Sequence, residues 1–243
     1  MIILALDSSG LVASVAVASE EALLAEYTFN YKKTHSQTLL PMLDEVVRML
    51  DLDLADIDAI AVTAGPGSFT GLRIGSATAK GLGLALKKPI VSVPTLDCMA
   101  YNLYGTDMLI CPMMDARRDQ IYTGLYEFSN DEFKVITPQK AVSIDEIIEE
   151  VNKTGRKTVF LGDGVPVHKE KITRQITTEY VFAPVHMNRQ RAGSLAALGI
   201  EYFKAGRIES AADHQPVYLR MSQAERERAE RLKRENENNT DNI

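Results

Sequence analysis

Three strand-forming segments crowd into the first 30 residues. Ile2–Leu6 is fully apolar, as a central strand requires. Val12–Ala18 alternates small and β-branched residues, and Leu23–Phe29 has the same strand character. Only the turn clusters Ser8-Ser9-Gly10 and Ser19-Glu20-Glu21 separate them, so the chain reverses at each and the three segments form an antiparallel meander. Leu39, Leu40, Leu43, Val46, Val47 and Leu50 then recur at helical spacing. Pro41 is tolerated only in a first turn, which predicts a helix start near Leu39, to within a turn. Ile57–Thr63 is a buried strand that runs straight into Gly65–Gly71 and a helix ending near Lys87, followed by a strand at Pro89–Val93.

The resulting order, β-β-β-α-β-α-β, is that of the ribonuclease H-like half-domain used by actin-like ATPases. The second half reads as a variation on it. Met108–Met114 and Gln120–Phe128 are strands flanking the turn Asp115-Ala116-Arg117-Arg118-Asp119. Ser143 and Glu146 form a Ser-x-x-Glu capping box ahead of Ile147, Ile148 and Val151. Thr158–Leu161 is a strand ending at Gly162-Asp163-Gly164, and Ala192–Phe203 is an amphipathic helix. The expected architecture is α/β: an actin-like (ASKHA) fold of two ribonuclease H-like subdomains. Residues 1–104, with 190–220 packing back on them, make the first; residues 105–189 make a smaller second. A charged tail, 221–243, carries the pairs Glu227–Arg231 and Glu230–Arg234 and is expected to fray from a solvated helix into disorder.

At 243 residues and 45% apolar side chains the chain can bury a real core without staples. Its 27 basic and 33 acidic residues leave a net charge of −6, so nucleic acid would be held through a local patch or a basic partner. Cys98 and Cys111 are too few for a disulfide scaffold or a Cys-rich zinc site. Asp7 interrupts the N-terminal apolar run, no basic segment precedes it, and no stretch is long enough for a membrane span. The expected location is the cytoplasm, with no membrane partner.

Two features bear on chemistry. Asp7-Ser8-Ser9 sits at the tip of the first hairpin, where actin-like ATPases place an Asp that holds metal-bound phosphate; here Ser9 replaces the expected Gly. Gly65–Gly71 feeds a helix N-terminus and so presents donors to an anion, although it lacks the Lys-Ser/Thr of a P-loop. Asp7, Ser8, Gly65, Gly67 and Ser68 are thus the candidate nucleotide or anion contacts, against a structural reading of polar turn and tight packing. His35, His168, His186 and His214 show no metal-ligand spacing and no nucleophile elbow is present, so no catalytic residue and no metal ligand is assigned.

The helix after the glycine loop carries Gly71, Gly75 and Ala79 on one stripe and Ala77, Gly81 and Ala85 on another. Each interior Gly costs about 0.8–1.0 kcal/mol relative to Ala, which asks for a compensating close approach. One stripe serves the sheet; the other is read as an interface, with the apolar helix Leu39–Leu50 beside it.

Five segments together resemble the bacterial TsaB (formerly YeaZ) family: Ile3–Ser9, Thr34-His35-Ser36-Gln37-Thr38-Leu39-Leu40-Pro41-Met42, Thr63–Gly75, Met114-Asp115-Ala116-Arg117-Arg118 and Pro216-Val217-Tyr218-Leu219-Arg220. The resemblance spans nearly the whole chain to Arg220. It implies a subunit without strong activity of its own that pairs with a catalytic paralogue, TsaD, and with TsaE, an ATPase. That complex transfers a threonylcarbamoyl group to N6 of the adenosine beside the anticodon. ATP and metal belong to the partners, no cofactor is expected on this chain, and tRNA is met mainly through the complex. The family's partner surface lies on the first two helices, here Leu39, Leu43, Val46 and Val47 with Gly71, Leu72, Gly75, Ala79 and Leu82, and buries itself in a homodimer when the paralogue is absent. The paralogue's His-x-x-x-His metal pair falls on Thr95 and Met99, neither a plausible ligand. The enzymatic alternative is an actin-like ATPase or phosphotransferase using Asp7 and the Gly65–Gly71 loop; a protease is the third reading.

Overall fold

The computed structural model describes residues 1–31 and 34–220; the tail expected from 221 onward lies outside the described residues. β1 (Ile2–Asp7), β2 (Ala13–Ser19) and β3 (Leu23–Phe29) form the expected antiparallel meander. α1 (His35–Met49), β4 (Ala59–Gly65), α2 (Phe69–Leu86) and β5 (Ile90–Pro94) follow, and β4 and β5 join in parallel to give the order β3-β2-β1-β4-β5. After the short α3 (Thr95–Tyr101) come β6 (Leu109–Asp115), β7 (Gln120–Ser129), β8 (Glu132–Ser143), α4 (Ile144–Thr154), β9 (Thr158–Leu161), α5 (Gly164–Gln175), β10 (Tyr180–Phe182) and α6 (Ala192–Lys204). The second sheet runs β8-β7-β6-β9-β10, the same order of a meander extended by parallel strands. Two five-stranded sheets of matching topology make this the actin-like fold of two ribonuclease H-like halves.

The strand period of two sorts the first sheet's side chains onto opposite faces. Leu4, Leu6, Val15, Val17, Ile60 and Val62 meet Leu39, Met42, Leu43 and Val46 of α1 and Ala79 of α2. The other face is mostly small, with Ala5, Ala16, Ala18, Ala59 and Ala61, and takes α6 through Ala192, Leu195 and Ala196. Gly199 brings α6 so near that a Cβ there would lie 3.0 Å from that of Ala61. In the second sheet, α4 and α5 cover one face through Ile147, Ile148, Val151 and Ile172. α3 covers the other, and α3 and α6 pack on one another. A buried hydrogen bond of 3.0 Å from the Tyr202 hydroxyl to Asp97 joins those two helices.

α1 begins at His35, four residues before the expected Leu39. Its start is fixed by the His35 ring, whose Nε2 lies 2.8 Å from the Gly10 carbonyl, and Pro41 is carried inside the helix on an exposed position. α4 begins as expected: Ser143 Oγ accepts the Glu146 N–H at 3.2 Å. α6 is less amphipathic than its pattern implied, because Gly193 to Ile200 are all buried or half-buried between the first sheet and α3.

Candidate functional site

The carboxyl ends of β1, β4 and β6 converge on a cleft of about 660 Å³ between the two halves. Parallel strands place their ends together at such a switch point, which is where open α/β folds present ligand sites. One wall is the Ser9–Leu11 hairpin tip with Pro66–Thr70; the other is the β6–β7 turn at Asp115–Arg118 with Asp163. Arg117, Arg118 and Arg220 bring guanidinium groups to it, and Asp115 and Asp163 bring carboxylates. Burial pushes the Asp163 carboxyl above its usual range, although it accepts the Asp115 N–H at 3.3 Å.

The five residues expected to meet an anion divide sharply. Gly67 and Ser68 line the cleft. Asp7, Ser8 and Gly65 do not. Asp7 is fully buried, and its Oδ1 accepts from Ser9 N at 2.9 Å, Ser9 Oγ at 2.7 Å and Thr63 Oγ1 at 3.1 Å. Its Oδ2 has no partner among the described residues. Burial raises the Asp7 pKa, and the hydrogen bonds from Ser9 and Thr63 oppose that rise. Ser8 gives its hydroxyl to the Gly71 carbonyl at 2.8 Å, inside the chain. The glycine loop is likewise turned onto its own neighbours: Ser68 N–H donates to Ser9 O at 2.6 Å, and a Cβ at Gly67 would overlap that same carbonyl. At Gly65, where φ is +120°, a Cβ would overlap the Val217 carbonyl. Close backbone approach therefore accounts for these glycines.

The expected interface residues divide in the same way. Leu39, Leu43, Val46, Gly71, Leu72, Gly75 and Ala79 are buried in the chain's own interior, and Val47 and Leu82 are half-buried against it. The stripe Gly71–Gly75–Ala79 faces the first hairpin and sheet, because Gly71 sits against Ser8 O and a Cβ at Gly75 would lie 2.6 Å from Ser8 Oγ. The stripe that faces outward is Ala77, Gly81 and Ala85, all exposed, with Leu84 beside them and Leu40 exposed on the neighbouring α1. A Cβ at Gly81 would meet nothing within 4 Å.

Thr95 and Met99, the positions that the family resemblance sets against a His-x-x-x-His metal pair, are fully buried on α3, and the Thr95 hydroxyl has no partner among the described residues. A hydroxyl and a core thioether do not fit a divalent transition metal that takes imidazoles. No group of three His, Cys, Asp or Glu side chains able to hold a metal occurs among the described residues. Nor does any described histidine hydrogen-bond a serine, threonine or cysteine side chain; His35 bonds Gly10 O, and His214 bonds Glu209 at 2.7 Å. Sequence reasoning gave no cleft role to Asp163, Tyr122 or the Val217–Arg220 stretch. For Val217–Arg220 the signal was its place among the family-like segments; for Asp163 it was the flanking pair Gly162 and Gly164.

A family profile described as "TsaD: tRNA N6-adenosine threonylcarbamoyltransferase" matches residues 22–228. The Bacillus subtilis (strain 168) tRNA threonylcarbamoyladenosine biosynthesis protein TsaB is 35% identical over 228 residues, covering 93% of this chain and 96% of that protein. The Escherichia coli K12 protein of the same name is 28% identical over 230 residues, 92% of this chain and 96% of its own. The solved structure of YeaZ from Pseudomonas aeruginosa superposes with a TM-score of 0.75 at 25% identity, over 90% of this chain and 100% of that one. The chain belongs to the TsaB family of tRNA threonylcarbamoyladenosine biosynthesis proteins, within the wider group that the TsaD profile describes.

Proposed function

We propose that the chain is a non-catalytic dimerization and scaffold subunit of the complex that forms N6-threonylcarbamoyladenosine in tRNA. It docks on the catalytic paralogue TsaD, with the ATPase TsaE as a further member, and self-associates through the same surface when TsaD is absent. The observation that carries this reading is Gly81. An exposed glycine in the interior of α2, with open space around it and no strained φ, costs about 1 kcal/mol and gains nothing within its own chain. With Ala77, Ala85 and Leu84, exposed at helical spacing on the same helix, it offers small and apolar side chains suited to a second backbone at close range.

The rest of the molecule supports the same division of labour. The paralogue's metal positions hold Thr95 and Met99, so metal chemistry is assigned to the partner, and ATP to TsaE. With a net charge of −6, the chain meets tRNA mainly through the complex. The two subdomains are taken as 1–104 with 190–220, and 105–189. No helix among the described residues is long and apolar enough to cross a membrane, and the proposed setting is the cytoplasm. The rival, nucleotide hydrolysis by Asp7 and the glycine loop, needs a carboxylate that reaches the cleft, whereas Asp7 is held inward by Ser9 and Thr63. Reconstituted threonylcarbamoyl transfer to tRNA tests the proposal. Transfer requires both this chain and the paralogue, and the chain alone gives none; transfer by the isolated chain, or full transfer without it, overturns the reading.

A further inference from the structure

After α6 the chain returns across the mouth of the cleft. Val217 N–H donates to the Ala64 carbonyl at 2.7 Å, seating the backbone on Gly65. The Tyr218 ring stacks on Phe69 at 4.1 Å, and its hydroxyl takes the Arg73 Nε–H at 3.3 Å, while the Arg73 guanidinium lies 4.3 Å from the Phe69 ring centre. These contacts fix the segment to the first two turns of α2. Two residues on, Arg220 crosses to the other half and donates from Nη1 to the Ala116 carbonyl at 2.8 Å.

Among the described residues, that is the one hydrogen bond or ion pair that spans the two walls of the cleft. Elsewhere the halves are joined by α3, which packs on β6 and β7 through Leu96, Met99 and Ala100, and by the Asn102 amide on the Met187 and Arg189 carbonyls. None of those residues lines the cavity. A broad packed junction on one side and a single polar contact at the mouth is the arrangement of a hinge and a latch. The receiving turn is itself poised: Arg117, Arg118 and Asp119 all adopt left-handed backbone, with φ of 62°, 56° and 55°, a conformation that side-chain-bearing L-residues hold only when their surroundings enforce it. The Arg117 N–H bonded to Asp115 at 2.8 Å and the Arg220 contact at Ala116 are two such restraints.

We propose that Pro216–Arg220 is a strap that holds the cleft closed, and that the cavity widens when Arg220 releases Ala116. The inference concerns the cleft alone and stands independently of any partner on α2. It is tested by pulsed electron–electron resonance on the full chain carrying Leu11→Cys and Asp119→Cys, exposed positions at the two walls; Cys98 and Cys111 are buried and stay unlabelled. The strapped chain gives one narrow distance distribution. Arg220→Ala raises the wider population about tenfold, the equivalent of one charge-assisted hydrogen bond. Arg220→Lys, which still donates to a carbonyl, restores most of the narrow form, and Tyr218→Ala, which strips the other anchor, widens it again. Distributions that superpose for the parent, Arg220→Ala and Tyr218→Ala, in chains that keep their native circular dichroism, overturn the proposal.

Discussion

Ser8 and Gly71, 63 positions apart, are locked together: the Ser8 hydroxyl donates to the Gly71 carbonyl at 2.8 Å, while the Ser8 carbonyl fills the space a Gly71 side chain would need. The tip of the first hairpin is thereby clamped to the first turn of α2. Which face of α2 turns inward follows from this contact, and so does which face is left exposed.

The two stripes of α2 should answer oppositely to the same substitution. Gly71→Ala drives a Cβ into backbone that cannot yield, and is expected to destabilise the chain by about 1–3 kcal/mol. Gly81→Ala adds a methyl in open space at ordinary helical φ, and should stabilise by about 0.5–1 kcal/mol. Urea denaturation of both variants checks the sign; equal effects would mean that the stripes are not distinguished by burial.

Asp97 makes stability fall as pH rises. Burial outweighs the hydrogen bond from Tyr202 and holds its carboxyl above 3.8, the ordinary value. Below 3.8 both folded and unfolded chains are protonated there and the full stability is present. Between 3.8 and the raised folded value, the folded chain keeps a proton that the unfolded chain has lost, so stability declines with increasing pH. Asp97→Asn removes this dependence and still accepts from Tyr202. Denaturant titrations from pH 3.5 to 7 should show the parent losing stability relative to the variant across that window; parallel curves contradict the assignment.

Both thiols are predicted to be inert in the native chain. Cys98 and Cys111 are fully buried, and burial pushes the Cys98 thiol far up and the Cys111 thiol to about 12. Thiolate, the reactive form, is absent at neutral pH. Iodoacetamide at pH 7.5 should leave the native mass unchanged and add two adducts only in denaturant. Rapid native alkylation would reopen a cysteine nucleophile and with it the protease reading.

The element order was legible because it rests on local signals. Leu23–Phe29 and Thr158–Leu161 have the boundaries their patterns give, since strand ends coincide with polar turns. What escaped was set by distant contacts. β8 contains Pro138, which argues against a strand, yet it lies at the sheet edge where the register shifts opposite Gly124, and proline is tolerated there. α3 has no polar face to give a period, because residues 95–100 are all buried between other elements. In the site, the glycine loop was visible but its purpose was not: the groups it approaches are Ser9 and Val217, some 58 and 150 residues away in the chain. The small-residue stripes were visible too. Spacing alone does not say which stripe turns outward; Ser8, packed on Gly71 and Gly75, makes the Gly71–Gly75–Ala79 stripe the inward one.

The central claim is that the outward stripe of α2 receives the catalytic paralogue. Titration of purified paralogue into the chain and into Gly81→Leu, followed by analytical ultracentrifugation, tests it most directly. The account predicts that Gly81→Leu folds with undiminished stability while its affinity falls at least tenfold, because the side chain separates two backbones. Binding of Gly81→Leu indistinguishable from the parent would contradict it.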